Sequence, residues 1–313
     1  MTDTPRIAGI SISREKGAPR EVVQKARITE DGLAGDRHAG PGLRQVTLMA
    51  EEVARAYTAT QNKPHGPGAA RENVLVAGLE NQPLALLDCL RIGRAVLEVT
   101  QLGAQLSESG QPLCAPEAHC AISNYGILTR VAHPGKLKVG DTVLHEPRSL
   151  RARVLTLSDR ASAGKYEDHS GPRVAELLQD FGAEHGWRME SERLILADDA
   201  ELLESALVQA RQRRLDLVIT TGGTGLGPRD ITADVVEQHA DRLIPGIMEF
   251  IRQKYGARAP LALLSRSVAA VYGQTLVFAL PGSVKAVEEY LGEIFQVLEH
   301  ILYVSRGLDP HGK

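Results

Sequence analysis

The sequence predicts two domains of different class: a mostly β, barrel-like domain over residues 1–147, and an α/β domain over 151–313 with a mainly parallel sheet covered by helices on both faces. Length is the first reason, since 313 residues are enough for two separate cores. Texture is the second. Short apolar runs between glycine turns fill the first half, whereas in the second half such runs alternate with long helical periods. The change falls at Glu146-Pro147-Arg148-Ser149-Leu150, a short stretch without a Gly/Ser tract that reads as the boundary.

In the first half, Ile7–Ile12, Val46–Met49, Asn73–Val76, Arg91–Val99 and Thr142–Leu144 read as strands, with glycines such as Gly32, Gly35, Gly78, Gly103 and Gly140 as punctuation. One helix is predicted, from about Ala50 to Thr60. Strands this short and close together suggest a mostly antiparallel barrel or sandwich.

The second half opens with a strand at Arg153–Leu157. A helix over Gly171–Phe181 follows, with Val174, Leu177, Leu178 and Phe181 on one face, Ser170 as its N-cap and Pro172 in its first turn. Arg193–Leu196 is a strand, and a helix from about Asp199 to Gln212 buries Leu202, Leu203, Ala206 and Ala210. Leu217–Thr221 is an apolar, β-branched strand that breaks into glycines 222, 223, 225 and 227 and resumes as a helix near Thr232. Thr275–Ala279 is the last strand. Its LPGS turn leads into a long helix with a stripe of Val284, Val287, Leu291, Ile294, Leu298 and Ile301.

Ligands of such sheets gather at the carboxyl ends of the strands. The rule collects Ser158-Asp159-Arg160, Asp198 and Asp199, Gly222–Asp230, and Pro281-Gly282-Ser283 into one crevice of carboxylates, hydroxyls and glycine amides. A strand, a glycine loop and a helix start suit an oxyanion, because loop amides can face it without a Cβ in the way. The loop has neither the lysine of a P-loop nor the GxGxxG spacing; it carries Asp230 instead. A carboxylate beside a phosphate needs a cation between them, so the expected partner is Mg²⁺. The alternative for each acid is structural: a glycine-rich crossover capped by Asp230, and Asp198 or Asp199 capping the next helix.

The formal net charge is −3, and acidic and basic residues nearly balance in both halves, so neither half is a nucleic-acid-binding arm. Three cysteines, Cys89, Cys114 and Cys120, are an odd and sparse set that fits a reducing cytoplasm rather than a disulfide framework. The opening residues have no basic region followed by a long apolar one, and no apolar stretch approaches about 18 residues, so neither a signal peptide nor a membrane partner is expected.

Three stretches of the first half carry polar groups in unusual places: Gly35-Asp36-Arg37-His38-Ala39-Gly40 with Arg44, Arg71-Glu72-Asn73 before an apolar strand, and Cys114 to Cys120 running into AISNYGILTRVAHPGKLKVGD. With the Arg91-Ile92-Gly93 turn, these motifs make most of residues 6–146 resemble the MOSC domain, named from the C-terminal part of molybdenum cofactor sulfurases. That resemblance implies binding of a pterin-type or sulfur-bearing group, with Arg37, His38, Arg71, Asn73 and Cys120 as candidates. A Cys120 thiolate beside His119 would have a lowered pKa. A buried, inert Cys120 is the alternative.

The second half carries Leu157-Ser158-Asp159-Arg160, Gly164-x-Tyr166-x-Asp168, Asp216-Leu-Val-Ile-Thr-Thr-Gly-Gly-Thr-Gly, Arg229-Asp230-Ile-Thr, Ile244-Pro245-Gly246, Leu264-Ser265-Arg266 and Leu280-Pro281-Gly282-Ser283. These resemble, in order and over nearly all of 153–305, the molybdopterin adenylyltransferases of the MogA/MoaB family, to which domains of gephyrin and plant Cnx proteins are related. The resemblance implies Mg²⁺-dependent transfer of adenylyl from ATP to molybdopterin. Asp198 and Asp230 would be the catalytic, metal-holding pair, and Ser158, Asp159, Thr221, Gly222, Gly223, Thr224, Gly225, Pro281, Gly282 and Ser283 would bind the ligands. It also implies homo-trimers and contact with other molybdenum cofactor proteins. Two alternatives stay open: a pterin-binding carrier without catalysis, and sulfur transfer to the cofactor through Cys120.

Overall fold

A computed structural model describes residues 4–15, 18–62, 64–103 and 121–308. The chain divides into two compact units, one running through Arg148 and the other Ser149–Arg306. Among the described residues no helix is long and apolar enough to cross a membrane.

The first unit is an eight-stranded sheet in the order Leu144–Glu146, Cys89–Ile92, Ala95–Leu102, Ile127–His133, Val46–Ala50, Val74–Ala77, Arg6–Ile12, Glu21–Val23. Among the described residues only Val46–Ala50 and Val74–Ala77 pair in parallel, and the crossover between them holds the helix Glu51–Thr60. At the far ends, Ile7 N–H donates to the Asp141 carbonyl at 2.9 Å and Val143 N–H to the Pro5 carbonyl at 2.8 Å, which curls the sheet towards a barrel. Strands Gly135–Lys138, Lys25–Thr29 and Gly32–Leu33 form a second, small sheet. Alternate side chains such as Ile10, Leu48, Val76, Leu97, Val99 and Leu137 meet in one core.

Where Arg91–Val99 reads as a single strand, the chain makes a hairpin, with Ile92 opposite Ala95 and the turn at Gly93, whose φ of +57° suits glycine. Strand Ile127–His133, central to the sheet, and the strands at 21–33 are additions to the sequence reading.

The second unit has a six-stranded mixed sheet, ordered Arg188–Leu196, Ser149–Leu157, Leu217–Thr221, Thr275–Leu280, Val268–Tyr272, Arg242–Leu243. The first four strands are mutually parallel; Val268–Tyr272 runs against them, because a hairpin at Gly273, with φ +68°, sends Thr275–Leu280 back along it, and Arg242–Leu243 pairs antiparallel with Val268–Tyr272. Leu155, Val218, Val277 and Ala279 pack on Leu203, Ala206 and Leu207 of helix Ala200–Gln212 and on Ala233 and Val236 of helix Thr232–His239. Helices Ser170–Glu184 and Val284–Ser305 pack on each other, and Thr156, which alternates with Leu155, reaches the loop before the first of them.

Two details differ from the sequence reading. Asp168, not Ser170, caps helix Ser170–Glu184: its Oδ1 accepts the Gly171 N–H at 3.0 Å and the Ser170 hydroxyl at 3.1 Å, while Thr156 Oγ1 donates to Oδ2 at 2.7 Å. An acid two residues earlier outcompetes a serine because it accepts several donors at once. Leu202 is 47 % exposed rather than buried, lying at the edge of its helix's stripe, and Leu207 takes its place in the core.

Candidate functional site

Register brings the loops together. Leu157 pairs with Leu196, Thr156 with Thr221, and Thr221 with Leu280, so the loops after these four parallel strands leave from one edge of the sheet. The Leu217–Thr221 strand, buried throughout, delivers the glycine loop. Gly222 has φ +99°, and a Cβ there would stand 2.4 Å from the Leu157 carbonyl oxygen. Gly223 has φ +63°, and its Cβ would meet Thr232 Oγ1 at 2.4 Å. Both positions therefore require glycine. Thr232 ties the loop to its helix, donating from Oγ1 to the Gly222 carbonyl at 3.0 Å and from N–H to the Gly223 carbonyl at 3.0 Å.

Gly222, Gly223, Thr224, Gly225 and Asp230 share an open cleft of about 640 Å³ with Pro281 and Gly282. Asp230 Oδ2 accepts the Gly227 N–H at 2.8 Å, which folds the loop back on its own carboxylate. A Cβ on Gly225 would lie 2.7 Å from the same oxygen. Thr221 Oγ1 donates to the Pro281 carbonyl at 3.1 Å and so ties the two loops together from below.

Asp159 and Asp198 form a second cluster at this edge. Asp159 N–H donates to Asp198 Oδ2 and Asp198 N–H to Asp159 Oδ1, each at 3.1 Å, and Arg229, next to Asp230 in the chain, donates to Asp159 Oδ2. The Asp198 N–H, then Arg229, hold the Asp159 carboxyl below its ordinary value. Asp198 itself does not line the cleft, so the two acids singled out in the sequence occupy neighbouring but different positions. Asp199 caps its helix, accepting the Leu202 N–H at 3.1 Å.

Ser158 and Ser283 are N-caps, accepting the N–H of Ala161 and of Ala286, each at 3.2 Å. A capping serine accepts through its oxygen and keeps its O–H to donate, so neither role excludes ligand contact. Leu226, inside the glycine loop, and Leu264, in the Leu264-Ser265-Arg266 motif, also line the cleft, with Leu261, Glu289 and Tyr290, which sequence reasoning missed. Tyr290 sits in the apolar stripe of its helix and reads as core; the one available signal is a hydroxyl that needs a partner when buried.

Residues 153–300 match the family described as a probable molybdopterin binding domain. A molybdopterin adenylyltransferase of Helicobacter pylori is 35 % identical over 161 residues, which cover 51 % of this chain and 90 % of that protein. The chain belongs to the molybdopterin-binding MogA/MoaB family. Its Escherichia coli K12 relative, also a molybdopterin adenylyltransferase, is 36 % identical over 46 % of this chain and 72 % of its own length. A bifunctional molybdenum cofactor biosynthesis protein of Synechococcus elongatus is 36 % identical over 51 % of this chain and 49 % of its own length. Family membership thus rests on the unit that carries the glycine loop, and it places the chain in molybdenum cofactor biosynthesis.

The first unit brings its own motifs together. Asp36 is buried, and Oδ2 accepts from Asn73 Nδ2 at 2.8 Å and from Ser13 N–H at 2.9 Å, while Oδ1 accepts the His38 N–H at 2.9 Å. His38 Nδ1 lies 3.0 Å from Oδ1. Burial pushes the Asp36 carboxyl up, but these donors and Arg20 outweigh it and hold it below its ordinary value. Asn73 Oδ1 accepts the Thr47 N–H at 3.1 Å, so the buried Asn73 joins neighbouring strands. Arg37, His38 and Arg71 are exposed, Arg71 with φ +74°. Arg20, which the sequence did not single out, donates to Ser11 Oγ at 2.8 Å and to Asp36 Oδ2 at 3.3 Å. Cys114 and Cys120 lie outside the described residues.

Proposed function

We propose that the second unit transfers adenylyl from ATP to the terminal phosphate of molybdopterin. The observation that carries this reading is one cleft holding the Gly222–Gly225 loop, Asp230 and Pro281-Gly282, in a chain whose relatives are named molybdopterin adenylyltransferases. A phosphate oxygen of molybdopterin attacks the α-phosphorus of ATP; the new P–O bond forms as the bond to the β-phosphate breaks, and pyrophosphate leaves with the electron pair. The nucleophile belongs to the substrate, so the protein contributes position and charge neutralisation and no nucleophilic side chain. Loop amides from Gly223 to Gly225 receive phosphate oxygens, the Gly222 N–H being taken by the Leu280 carbonyl at 3.0 Å, and Ser158 and Ser283 donate their O–H groups.

The residues fit Mg²⁺. Asp230 offers a carboxylate on the cleft, with Oδ2 already on the Gly227 N–H, and Asp198 and Asp159 stand at the same sheet edge. Among the described residues no group of three His, Cys, Asp or Glu gathers, so protein carboxylates would supply only part of the ligands of this ion, which commonly keeps water and takes substrate phosphates beside one or two carboxylates. When bound, Mg²⁺ neutralises charge developing on the phosphates.

In the same reading the first unit is a MOSC domain that binds the pterin through the exposed Arg37, His38 and Arg71, with Cys120 as its thiol, and the chain assembles as trimers. Pyrophosphate release in the presence of MgATP and molybdopterin tests the adenylyl transfer. Binding of molybdopterin without turnover would make the second unit a carrier.

A further inference from the structure

The small sheet of the first unit carries positive charge on one side. Where Gly135–Lys138 pairs with Lys25–Thr29, Lys136 stands directly opposite Arg27 and Lys138 directly opposite Lys25. Burial separates the two faces. Ile28 and Leu137 lie in the core and Ala26 packs against it, while Lys25, Arg27, Lys136 and Lys138 are exposed. Side chains alternate along a strand, so the four cations share the outer face. They stand about 4.8 Å apart across the strands and about 6.7 Å apart along them.

Like charges directly opposite each other on a sheet are destabilising. Among the described residues the one acid in ion-pair contact with the four is Asp141, 3.8 Å from Lys138 Nζ. Its Oδ2 accepts the Lys138 N–H at 2.9 Å in the turn that follows. Lysines often guard a sheet edge against pairing, which accounts for Lys136 and Lys138. It does not account for Lys25 and Arg27, because Lys25–Thr29 is the middle strand of its sheet. Charge of one sign gathered at a cost in stability fits a partner of the opposite sign.

We infer that this face docks an acidic segment of a partner protein, held extended, with carboxylates at alternate residues. An extended chain repeats its side-chain direction every second residue, the spacing of the cations along each strand, so successive carboxylates meet successive cations. Nucleic acid fits less well. The outer face of these two strands has no aromatic ring for bases to stack on. The chain as a whole is formally −3, so a phosphate polymer longer than the patch meets net negative charge. Nor does this face present an exposed apolar side chain to enter a lipid surface.

The test uses the full chain and a labelled peptide of alternating Glu and Ser, read by fluorescence anisotropy at about 50 mM salt. A peptide of the same composition with its glutamates in one block, oligothymidylate, and vesicles containing phosphatidylserine are the competitors. The alternating peptide should bind several-fold tighter than each of them, and binding should vanish at about 0.5 M salt. Arg27→Gln combined with Lys136→Gln should weaken it about tenfold. Lys136→Gln alone should raise the thermal midpoint by about 1–3 °C at low salt, because it removes a repelling pair. No binding of the alternating peptide, equal binding of the block peptide, tighter binding of oligothymidylate or vesicles, or full binding by the double variant would overturn the inference. A lowered midpoint in Lys136→Gln would also overturn it, since the opposed cations would then carry no cost that a partner relieves.

Discussion

Asp159 and Asp198 hold each other by their main-chain amides, each N–H donating to the other's carboxylate at 3.1 Å. The pair clamps two strand ends together, and Arg229 ties it to the segment that bears Asp230. Because the Asp159 carboxyl is held below its ordinary value of 3.8, its contribution is complete above that pH and is withdrawn only as the pH falls through the lowered value. The clamp should therefore be indifferent to pH between 5 and 8. In an NMR titration Arg229→Ala should raise the Asp159 midpoint. An unchanged midpoint would mean that Arg229 does not act on this carboxylate.

Gly222→Ala should destabilise the protein by about 1–3 kcal/mol from backbone strain alone. The Cβ would also stand 2.4 Å from a main-chain oxygen that cannot rotate away, so the loop must shift as well. Thermal unfolding reads the first effect and phosphate binding the second; an alanine variant with wild-type values for both would remove the steric argument.

Arg20 is the counter-charge of a buried cluster in the first unit. Burial raises the Glu72 carboxyl, opposed by the N–H groups of Gly68 and Ala70 and by Arg20. A carboxylate whose folded pKa is raised weakens the fold at pH values above it, and the penalty is relieved as protonation sets in below. Arg20→Met should thus lower stability by roughly 3 kcal/mol at pH 7, leaving Asp36 and Glu72 without their cation. The loss should shrink on acidification towards pH 5. Equal losses at both values in urea unfolding would argue that packing, not charge, is what Arg20 contributes.

Much of the second unit was legible because its signals are local. The Leu217–Thr221 run, the glycines behind it and the Asp199 cap all depend on residues within a few positions of one another. The Asp168 cap was not, because it stands before its helix and a serine occupied the expected place. Arg20 was hidden for a different reason: its partners Asp36 and Glu72 come from distant parts of the chain, and only the strand pairing of Arg6–Ile12 with Val74–Ala77 unites them. Tyr290 keeps the apolar period of its helix, and no periodicity argument separates a cleft wall from a core.

The three cysteines should differ in reactivity. Burial, then the neighbouring Glu98, pushes the Cys89 thiol up to about 11. At pH 8 about one molecule in a thousand is then the thiolate at this position. Iodoacetamide labelling followed by peptide mapping should leave Cys89 unmodified while Cys120, if it is the thiol of a pterin site, labels first and is protected by molybdopterin. Fast labelling of Cys89 would contradict its burial, and an inert Cys120 would return it to a structural role.

The central claim is that this cleft transfers adenylyl, and pyrophosphate release by the full chain measures it most directly. The account predicts release that needs ATP, Mg²⁺ and molybdopterin together. It further predicts that Asp230→Asn, which keeps an oxygen for the Gly227 N–H but removes the charge, lowers the rate by about 100-fold or more with the fold intact. A wild-type chain that binds molybdopterin and MgATP yet releases no pyrophosphate, or an Asp230→Asn chain with full activity, would contradict it.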